Sequence, residues 1–463
     1  MSAVLLWPAQ TVFAGTYWEQ VGGNGLGDPD NVVVSSLDVW NGQIYAAVGN
    51  YVVGCRIYRS ADGNNWIKVN TDGFENAGLQ VIMDLKAFGG QLYASTADDL
   101  PIPVQTAEIW HSTDGVTWTQ SGADGLGNAN NRRFYEMEEF NGQLYVGSFN
   151  TTDGAGIYRT ADGTNWNLVL ASAGGFGDAN NTSIWGLYSF GGWLWAGTQN
   201  NFGAQIWRSN DGTNWNQYED YAATPTYKAV NHFFEFGSRL YWFIINADEG
   251  AIMVRRNDDV FHELYVGGWG DANNIWYSMN TVVSGGLYYG TRNDITGGEL
   301  WYYTGGTNFT QIGLDGFGNV DNFAIYALTF KDYLYIGLST VNGLKGAEIW
   351  RRRSSANIVI ITKSLNQGTF GQDYSSNLEV AGGKSPYSWK LFSGQLPKGL
   401  SINSQTGEIM GVPQETGDFS IKVSVTDNSR PQNGAYKSFT LKIVAGASDM
   451  GGVTILPETG ADF

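Results

Sequence analysis

The chain has 463 residues, with 26 Lys or Arg against 44 Asp or Glu, so its formal net charge is −18. This acidic balance argues against a nucleic-acid partner, because phosphate binding needs a basic surface. Glycine (63 residues) and aromatic residues (18 Trp, 25 Tyr, 23 Phe) are abundant, which is typical of short strands and tight turns. The sequence therefore predicts an all-β protein. Its single cysteine, Cys55, excludes an internal disulfide.

The N-terminal run "AVLLWPAQTVFA" (3–14) resembles the apolar region and cleavage end of a secretory signal, although a basic start is missing. We interpret residues 1–15 as a clipped signal peptide, with an ordinary N-terminal strand as the alternative. No later segment is long and apolar enough to predict a membrane span.

A repeat dominates residues 16–355. Segments such as "GQLYVGSFN" and "GWLWAGTQN" recur every 46 to 52 residues, and each period contains four strand-like stretches. Four strands per period predict a β-propeller of seven blades. The opening "TYWEQV" matches the fourth-strand pattern that the last blade lacks, so we expect it to close the ring. The aromatic of the second strand stands at Tyr45, Tyr93, Tyr145, Trp195, Tyr241, Tyr288 and Tyr335.

The turn between third and fourth strands has its own signature, "RSADGNNW", "HSTDGVTW", "RTADGTNW" and "RSNDGTNW", beginning at Arg59, His111, Arg159 and Arg208. It resembles the Asp-box of sialidase-like propellers, in a variant with one residue fewer between Asp and Gly. The resemblance implies a folding element set away from any active site. The Arg-Ile-Pro motif of sialidases does not occur in the sequence, so the resemblance implies the fold and no activity.

Two further segments follow the repeat. Residues 356–446 carry "LPKGLSI", "TGEIMGVP" and "GDFSIKVSVTD" and resemble Ig-like, cadherin-like modules, which serve mostly as spacers in prokaryotic surface proteins. The tail 447–463 contains "LPETG", which resembles a sortase signal cut between Thr459 and Gly460 and then attached to the cell wall. The apolar span and basic end of such signals are absent, so a truncated gene, a tag and coincidence are alternatives.

Glycine-rich loops connect successive blades, beginning at Gly25, Gly125, Gly175, Gly268 and Gly316. Each precedes a strand, whereas phosphate-binding loops follow a strand and open a helix. We interpret them as corners in which Asp and Asn bind nearby backbone. The alternative is a structural calcium ion, for which the candidate ligands are Asp178, Asn180, Asp271 and Asn273.

Polar residues also end each second strand, on the face that carries these loops. Together with third-strand acids and a nearby Trp they predict a funnel suited to sugar hydroxyls or a cation. Side chains that merely close each turn are the alternative. The candidate ligand-binding residues are Asn50, Asp98, Asn150, Asn200, Asn246, Asn293, Glu108, Glu299, Glu348 and Trp269, with Thr340 and Gln205 in the same register.

The innermost strands carry charges where apolar residues would be expected. Asp38, Lys86 and Glu138 share one register, and Asp84, Glu136 and His232 share another. Paired carboxylates could act as general acid and base in glycoside cleavage, and solvated salt links are the alternative. The candidate catalytic residues are Asp38, Glu136, Glu138 and His232.

These features predict a monomeric secreted or surface-attached prokaryotic protein that binds an extracellular glycan or surface polymer without catalysis or a cofactor other than calcium. A glycan-active hydrolase or lyase is one alternative. A structural or adhesive surface protein that binds another protein is the second.

Overall fold

A computed structural model describes residues 18–446 except 23, 99–105, 171–173, 247–249, 258–259, 266, 284–285, 307–308, 313–314, 341–345, 354–357, 382, 384 and 429–433. The expected signal peptide and the "LPETG" segment lie outside the described residues. The chain divides into two compact bodies, Met1–Ser355 and Ala356–Phe463. The described residues of both form strands and short 3-10 turns, and contain no α-helix, so the all-β prediction is confirmed.

The larger body begins with β1 (Glu19–Gln20) and continues as seven antiparallel meanders, which we call units one to seven. Their strands are β2 (Asn31–Trp40), β3 (Gln43–Asn50), β4 (Arg56–Ser60) and β5 (Ile67–Lys68); β6 (Val81–Phe88), β7 (Gln91–Ala97), β8 (Ile109–Ser112) and β9 (Thr119–Gln120); β10 (Arg133–Phe140), β11 (Gln143–Phe149), β12 (Ile157–Thr160) and β13 (Asn167–Leu168); β14 (Asn181–Phe190), β15 (Trp193–Asn200), β16 (Gln205–Ser209) and β17 (Asn216–Asp220); β18 (Tyr227–Phe236), β19 (Arg239–Asn246), β20 (Ile252–Asn257) and β21 (Val260–Tyr265); β22 (Trp276–Val283), β23 (Gly286–Arg292), β24 (Leu300–Tyr303) and β25 (Phe309–Ile312); and β26 (Asn322–Phe330), β27 (Tyr333–Thr340) and β28 (Glu348–Arg353).

The start of the chain supplies the missing strand of unit seven. β1 pairs antiparallel with β28, with Glu19 opposite Arg351. Units seven and one also meet directly, since the Val34 amide donates to Ser339 Oγ at 3.2 Å. The series of units therefore closes on itself, which leaves no unpaired end between the last unit and the first.

Six 3-10 turns precede first strands, namely η1 (Asn24–Gly27), η2 (Asp72–Glu75), η3 (Asp124–Gly127), η4 (Gly175–Gly177), η5 (Gly268–Gly270) and η6 (Asp315–Gly318). In unit two the loop reads "DGFENAG", which differs in sequence from the other loops. However, Phe74 in η2 has φ 54°, close to the 61° of Phe176 in η4. Unit two thus keeps the backbone of the turn while changing its side chains.

The turns with the Asp-box resemblance are held by local hydrogen bonds. Asp62 Oδ1 accepts the amides of Asn64 and Asn65 at 2.9 and 2.8 Å, while the Gly63 amide donates to Ser60 Oγ at 2.8 Å. Such amide donors stabilise the carboxylate and hold its pKa below the usual range. Backbone amides lower the pKa in the same way at Asp114, Asp162 and Asp211 as at Asp62.

Each of these turns also covers the repeated aromatic of the preceding unit. A Cβ atom on Gly163 would lie 1.8 Å from the Tyr93 hydroxyl, and Tyr93 is only 1% exposed, so it has little room to move. Glycine is therefore required there for close approach as well as for its φ of 76°. The other such pairs are Gly63 with Tyr335, Gly115 with Tyr45, and Gly212 with Tyr145.

The first strands of units one to six share a bulge, where the register against the second strand shifts by one residue. In unit four, for example, Ile184 and Gly186 face consecutive residues of β15, so Trp185 is the extra residue of the bulge. A bulge redirects the side chain at that point. The first strand of unit seven pairs without a break from Ala324 to Phe330.

The smaller body is a β-sandwich. One sheet has the order β30-β37-β36-β33 and a second has β31-β35-β34, while β29 pairs with β32. Trp389, Val423 and Leu441 lie in the core between them. Its strands are β29 (Val359–Ile360), β30 (Gly368–Thr369), β31 (Tyr374–Asn377), β32 (Val380–Ala381), β33 (Ser388–Gly394), β34 (Leu400–Ile402), β35 (Glu408–Gly411), β36 (Gly417–Thr426) and β37 (Gly434–Val444).

Candidate functional site

The loops between units are held by a repeated pair of asparagines. In unit four, Asn181 Nδ2 donates to the Gly175 carbonyl at 2.7 Å, and Asn200 Nδ2 donates to Asn181 Oδ1 at 2.9 Å. The first asparagine binds the glycine carbonyl in five loops, at Asn31, Asn131, Asn181, Asn274 and Asn322. This arrangement favours the interpretation of these loops as corners.

The polar residues that end the second strands are buried. Asn50, Asn150, Asn200 and Asn293 are at most 1% exposed, and each accepts backbone amides of its own following turn, as at Val52 (2.9 Å). Asp98 accepts from Arg132 at 3.2 Å, and Asn246 is 2% exposed. Ligand binding at these positions stays a prediction, but their burial favours the alternative that they close the turns.

The third-strand acids have internal partners too. Glu108, Glu299 and Glu348 each accept the indole N–H of the Trp two residues later, at 2.8 Å. Burial raises the pKa of Glu299 to about 7. Trp269 is 7% exposed and packs in a core that includes Tyr289. Glu108, Glu299 and Trp269 are therefore buried within the units, whereas Glu348 is partly exposed.

The candidate calcium ligands use their oxygens within the loop. Asp178 Oδ1 accepts the Asn180 amide at 2.9 Å and its side-chain nitrogen at 2.8 Å, while Oδ2 accepts from Asn200 at 3.0 Å. Asp271 and Asn273 repeat this pattern. No group of three or more His, Cys, Asp or Glu residues within the described part of the chain is arranged to hold a metal ion.

The bulged first strands instead form a central cavity of about 190 Å³, to which all seven units contribute. This volume is several times the ~30 Å³ that a water molecule occupies in the liquid. The bulge places a different residue at the wall in each of five units, in order Ser35, Met83, Tyr135, Trp185 and Asn231. The wall therefore differs from unit to unit although its backbone repeats.

Part of the wall of the central cavity is aromatic and cationic. Tyr135 and Trp185 stack with ring centroids 5.1 Å apart, and Arg133 donates to the Tyr135 hydroxyl at 3.3 Å. From unit six, Arg292 lies 4.8 Å from the Phe323 ring centroid and is bound by Asp294 through Nε at 2.9 Å. Two oriented guanidinium groups thus reach the cavity beside flat apolar surfaces.

The same wall also carries two carboxyl groups and a histidine. Nδ1 of His232 contacts Glu136 Oε1, and Glu136 Oε2 accepts the Leu187 amide at 3.2 Å. Asp84 Oδ2 accepts the Met137 amide at 3.0 Å. The structure therefore brings the predicted candidates Glu136 and His232 together with Asp84.

Asp84 has an unusual protonation state. Its burial raises its pKa to about 8, an effect that the Met137 amide and the Lys86 charge oppose and that the nearby Glu136 charge increases. Glu136, in contrast, has a side chain that is 25% exposed. One cavity thus holds a carboxyl that keeps its proton at neutral pH beside one that receives hydrogen bonds from two sides.

The other charged residues singled out on the innermost strands do not line this cavity; they are Asp38, Lys86 and Glu138. Lys86 and Glu138 form a salt bridge of 2.6 Å. Burial raises the pKa of Asp38 to about 6, and the Val39 amide donates to its carboxylate at 2.7 Å. Catalysis by Asp38 or Glu138 stays a prediction that the central cavity does not support.

Sequence reasoning missed several residues of the cavity. Register counting found Asp84, Glu136 and His232 because charges stood out in apolar strands. It did not find Tyr135, Trp185 or the two arginines, since aromatic residues in a strand are typical core residues. The available signal was a break in the alternation at the middle of the first strands of units one to six, which indicates a bulge.

Comparison with known proteins supports the fold. Residues 357–444 match the family model described as "Putative Ig domain". The extracellular domain assigned to a hybrid two-component system of B. thetaiotaomicron has 12% identity and a TM-score of 0.50, with 93% of this chain and 58% of that chain covered. No curated protein sequence matches the chain.

Two further solved structures have lower similarity. The extracellular domain assigned to a one-component system of B. thetaiotaomicron gives 14% identity and a TM-score of 0.47, covering 92% of this chain and 57% of that chain. The polysaccharide lyase Uly1 gives 10% identity and a TM-score of 0.42, covering 69% of this chain and 90% of that chain. The chain thus spans somewhat more than half the length of the two sensor domains. Within its described residues, no helix could cross a bilayer.

Proposed function

We propose that the larger body is a seven-bladed β-propeller that binds an extracellular saccharide, without a cofactor, in its central cavity. The observation that carries the proposal is the cavity wall, where one repeated bulge presents a different side chain in each of five units. Repeated residues serve the fold that all units share, whereas residues that differ at one backbone position are free to serve a ligand.

The chemistry of the wall suits a sugar ring. The stacked Tyr135 and Trp185 offer a flat apolar surface of the kind that the C–H face of a sugar covers. Arg133 and Arg292 are donors, and Glu136 is an acceptor, for hydroxyl groups at the edge of the ring. A ligand bound there would contact several blades at once.

The extracellular location is part of this proposal. The apolar N-terminal run and "LPETG" support secretion and attachment to a cell wall through Thr459, with the Ig-like body as a spacer. The sensor domain with a TM-score of 0.50 is itself extracellular. The Asp-box resemblance supports the propeller assignment. The alternative is a surface protein that binds another protein, and this alternative requires no ligand in the cavity.

A glycan array with the full chain, followed by calorimetric titration, tests the proposal. Trp185→Ala should weaken binding of a positive glycan at least tenfold, about 1.4 kcal/mol, because it removes the stacking surface. Phe202→Ala is the matched control, since Phe202 is aromatic, 67% exposed and in the turn after Asn200. A silent array, or equal losses in both variants, would contradict a saccharide site in the cavity.

A further inference from the structure

We propose that the central cavity hydrolyses a glycosidic bond of the saccharide it binds, with Asp84 as the proton donor and the Glu136–His232 pair as the base. The inference rests on the proposed function, since it needs a saccharide in that cavity. It takes up the hydrolase alternative, for which the sequence offers Asp38, Glu136, Glu138 and His232 as candidates. It keeps Glu136 and His232 and adds Asp84 as the acid.

The base is oriented by contacts on both sides of Glu136. Its Oε2 accepts the Leu187 amide of unit four at 3.2 Å, and its Oε1 contacts Nδ1 of His232 in unit five. With Nδ1 engaged, Nε2 is the ring nitrogen that His232 can present to the cavity it lines. A carboxylate that fixes the ring and stabilises its protonated form is the arrangement that makes histidine a general base.

The acid is prepared by burial on a different unit. Asp84 is 6% exposed and lines the same cavity, with one hydrogen bond from the Met137 amide at 3.0 Å and a longer one from Ser36 Oγ at 3.4 Å. Its raised pKa of about 8 keeps the proton in place at neutral pH. A buried carboxylic acid and an oriented histidine in one site can divide the roles of acid and base.

The reaction balances with water alone. Water oxygen attacks the anomeric carbon while His232 Nε2 takes one proton from that water. The bond from the anomeric carbon to the leaving oxygen breaks, and Asp84 protonates that oxygen. Asp84 then regains a proton from solvent and His232 releases one. A single displacement of this kind inverts the anomeric centre, and no oxidant or cofactor is needed.

Several charged groups surround the acid and would shape its pH dependence. Glu136, His232, Arg133 and Arg292 line the same cavity, and the charges of Glu136, Lys86 and Asp38 act on Asp84. Hydrolysis should fall as the pH rises through about 8, because Asp84 then loses the proton that the leaving group needs.

The test uses the full chain and a panel of soluble polysaccharides, including neutral glucans, galactans and arabinans and polymers of uronic acids. Each is scored for binding by affinity electrophoresis, then incubated and assayed for new reducing ends and for absorbance at about 235 nm, where the unsaturated products of β-elimination absorb. Wild-type protein should release reducing ends, without that absorbance, from a polysaccharide that it binds.

Variants assign the roles. Asp84→Asn and His232→Gln should retain binding but lower the rate by about 10²-fold or more, the usual contribution of acid–base catalysis. Glu136→Gln should lower the rate less and shift the low-pH limb of the profile, since Glu136 positions the base. The control Glu139→Gln changes an exposed acid of the same strand and should leave the rate unchanged. Melting temperatures of all variants establish that they are folded.

Each other outcome counts against a specific part. Binding without cleavage overturns hydrolysis and leaves the proposed function standing. Cleavage with absorbance near 235 nm overturns hydrolysis in favour of elimination. Unchanged cleavage by Asp84→Asn overturns the assignment of Asp84 as the acid. Binding to no member of the panel overturns the proposed function, and this inference with it.

Discussion

The loops between units and the central cavity use repetition in opposite ways. In the loops, the same asparagine binds the same glycine carbonyl in five units. In the cavity, the same bulge presents Ser35, Met83, Tyr135, Trp185 and Asn231 in turn. The geometry of the glycine-rich loop at Gly175 favours a corner of the fold over a ligand site. The difference teaches that in a repeat protein a site is better sought where the backbone repeats and the side chain does not.

The largest effect on stability should come from the repeated asparagine. Asn181→Ala removes the hydrogen bonds to the Gly175 carbonyl, Gln205 and Asn200 and leaves buried polar groups unpaired, at about 1–3 kcal/mol each. Guanidinium unfolding should show a large fall in the midpoint of the larger body. Asn180→Ala, at an exposed neighbour, should change it little, and equal shifts would refute the structural role.

A smaller loss is expected in the turns with the Asp-box resemblance. Gly163→Ala places a Cβ atom 1.8 Å from the buried Tyr93 hydroxyl, so it should destabilise by about 2–3 kcal/mol through overpacking and backbone strain. Gly142→Ala is the matched control, because its φ of 72° is similar but nothing lies within 4 Å of its Cβ position. Thermal melts should give a lower melting temperature for Gly163→Ala than for Gly142→Ala. Equal melting temperatures would show that the close approach to Tyr93 does not contribute to stability.

Asp84 should make the cavity a source of pH-dependent instability. Its pKa is about 8 in the fold against an ordinary value of 3.8, so the folded state binds the extra proton between these values. Stability is then full below pH 4 and falls as the pH rises toward 8. Asp84→Asn should abolish this fall and melt above wild type by several degrees at pH 8.5, with a smaller difference at pH 5. Parallel melting curves at both pH values would contradict the protonated carboxyl.

The smallest effect is expected on removal of calcium. The carboxylates of Asp178 and Asp271 already accept amide and side-chain hydrogen bonds in their loops, so we expect the corners to keep their structure without an ion. Melting in EDTA should match melting in calcium. A lower midpoint in EDTA would instead show that the loops bind a structural cation.

Much of the fold was predictable because it repeats. The period of the "LY" segments indicated four strands per unit, and the pattern of "TYWEQV" indicated the pairing of β1 with β28. The cavity was less predictable, since a bulge changes which face a residue points to without changing its identity. Trp185 looks like a core residue in the sequence, and only the shift between Ile184 and Gly186 turns it toward the cavity. The burial of Asn200 depends on the turn that covers it. The alternation of polar and apolar residues along a strand does not predict such a cover.

Hydrogen–deuterium exchange of the full chain, with and without a glycan identified on the array, tests most directly whether the ligand occupies the cavity. Peptides that contain the bulges, around 133–137, 184–186 and 230–232, should gain protection on binding, while the loops at 24–28 and 174–178 should exchange as before. Protection confined to those loops or to the turns at 51–53 and 201–203, with none at the bulges, would contradict the account.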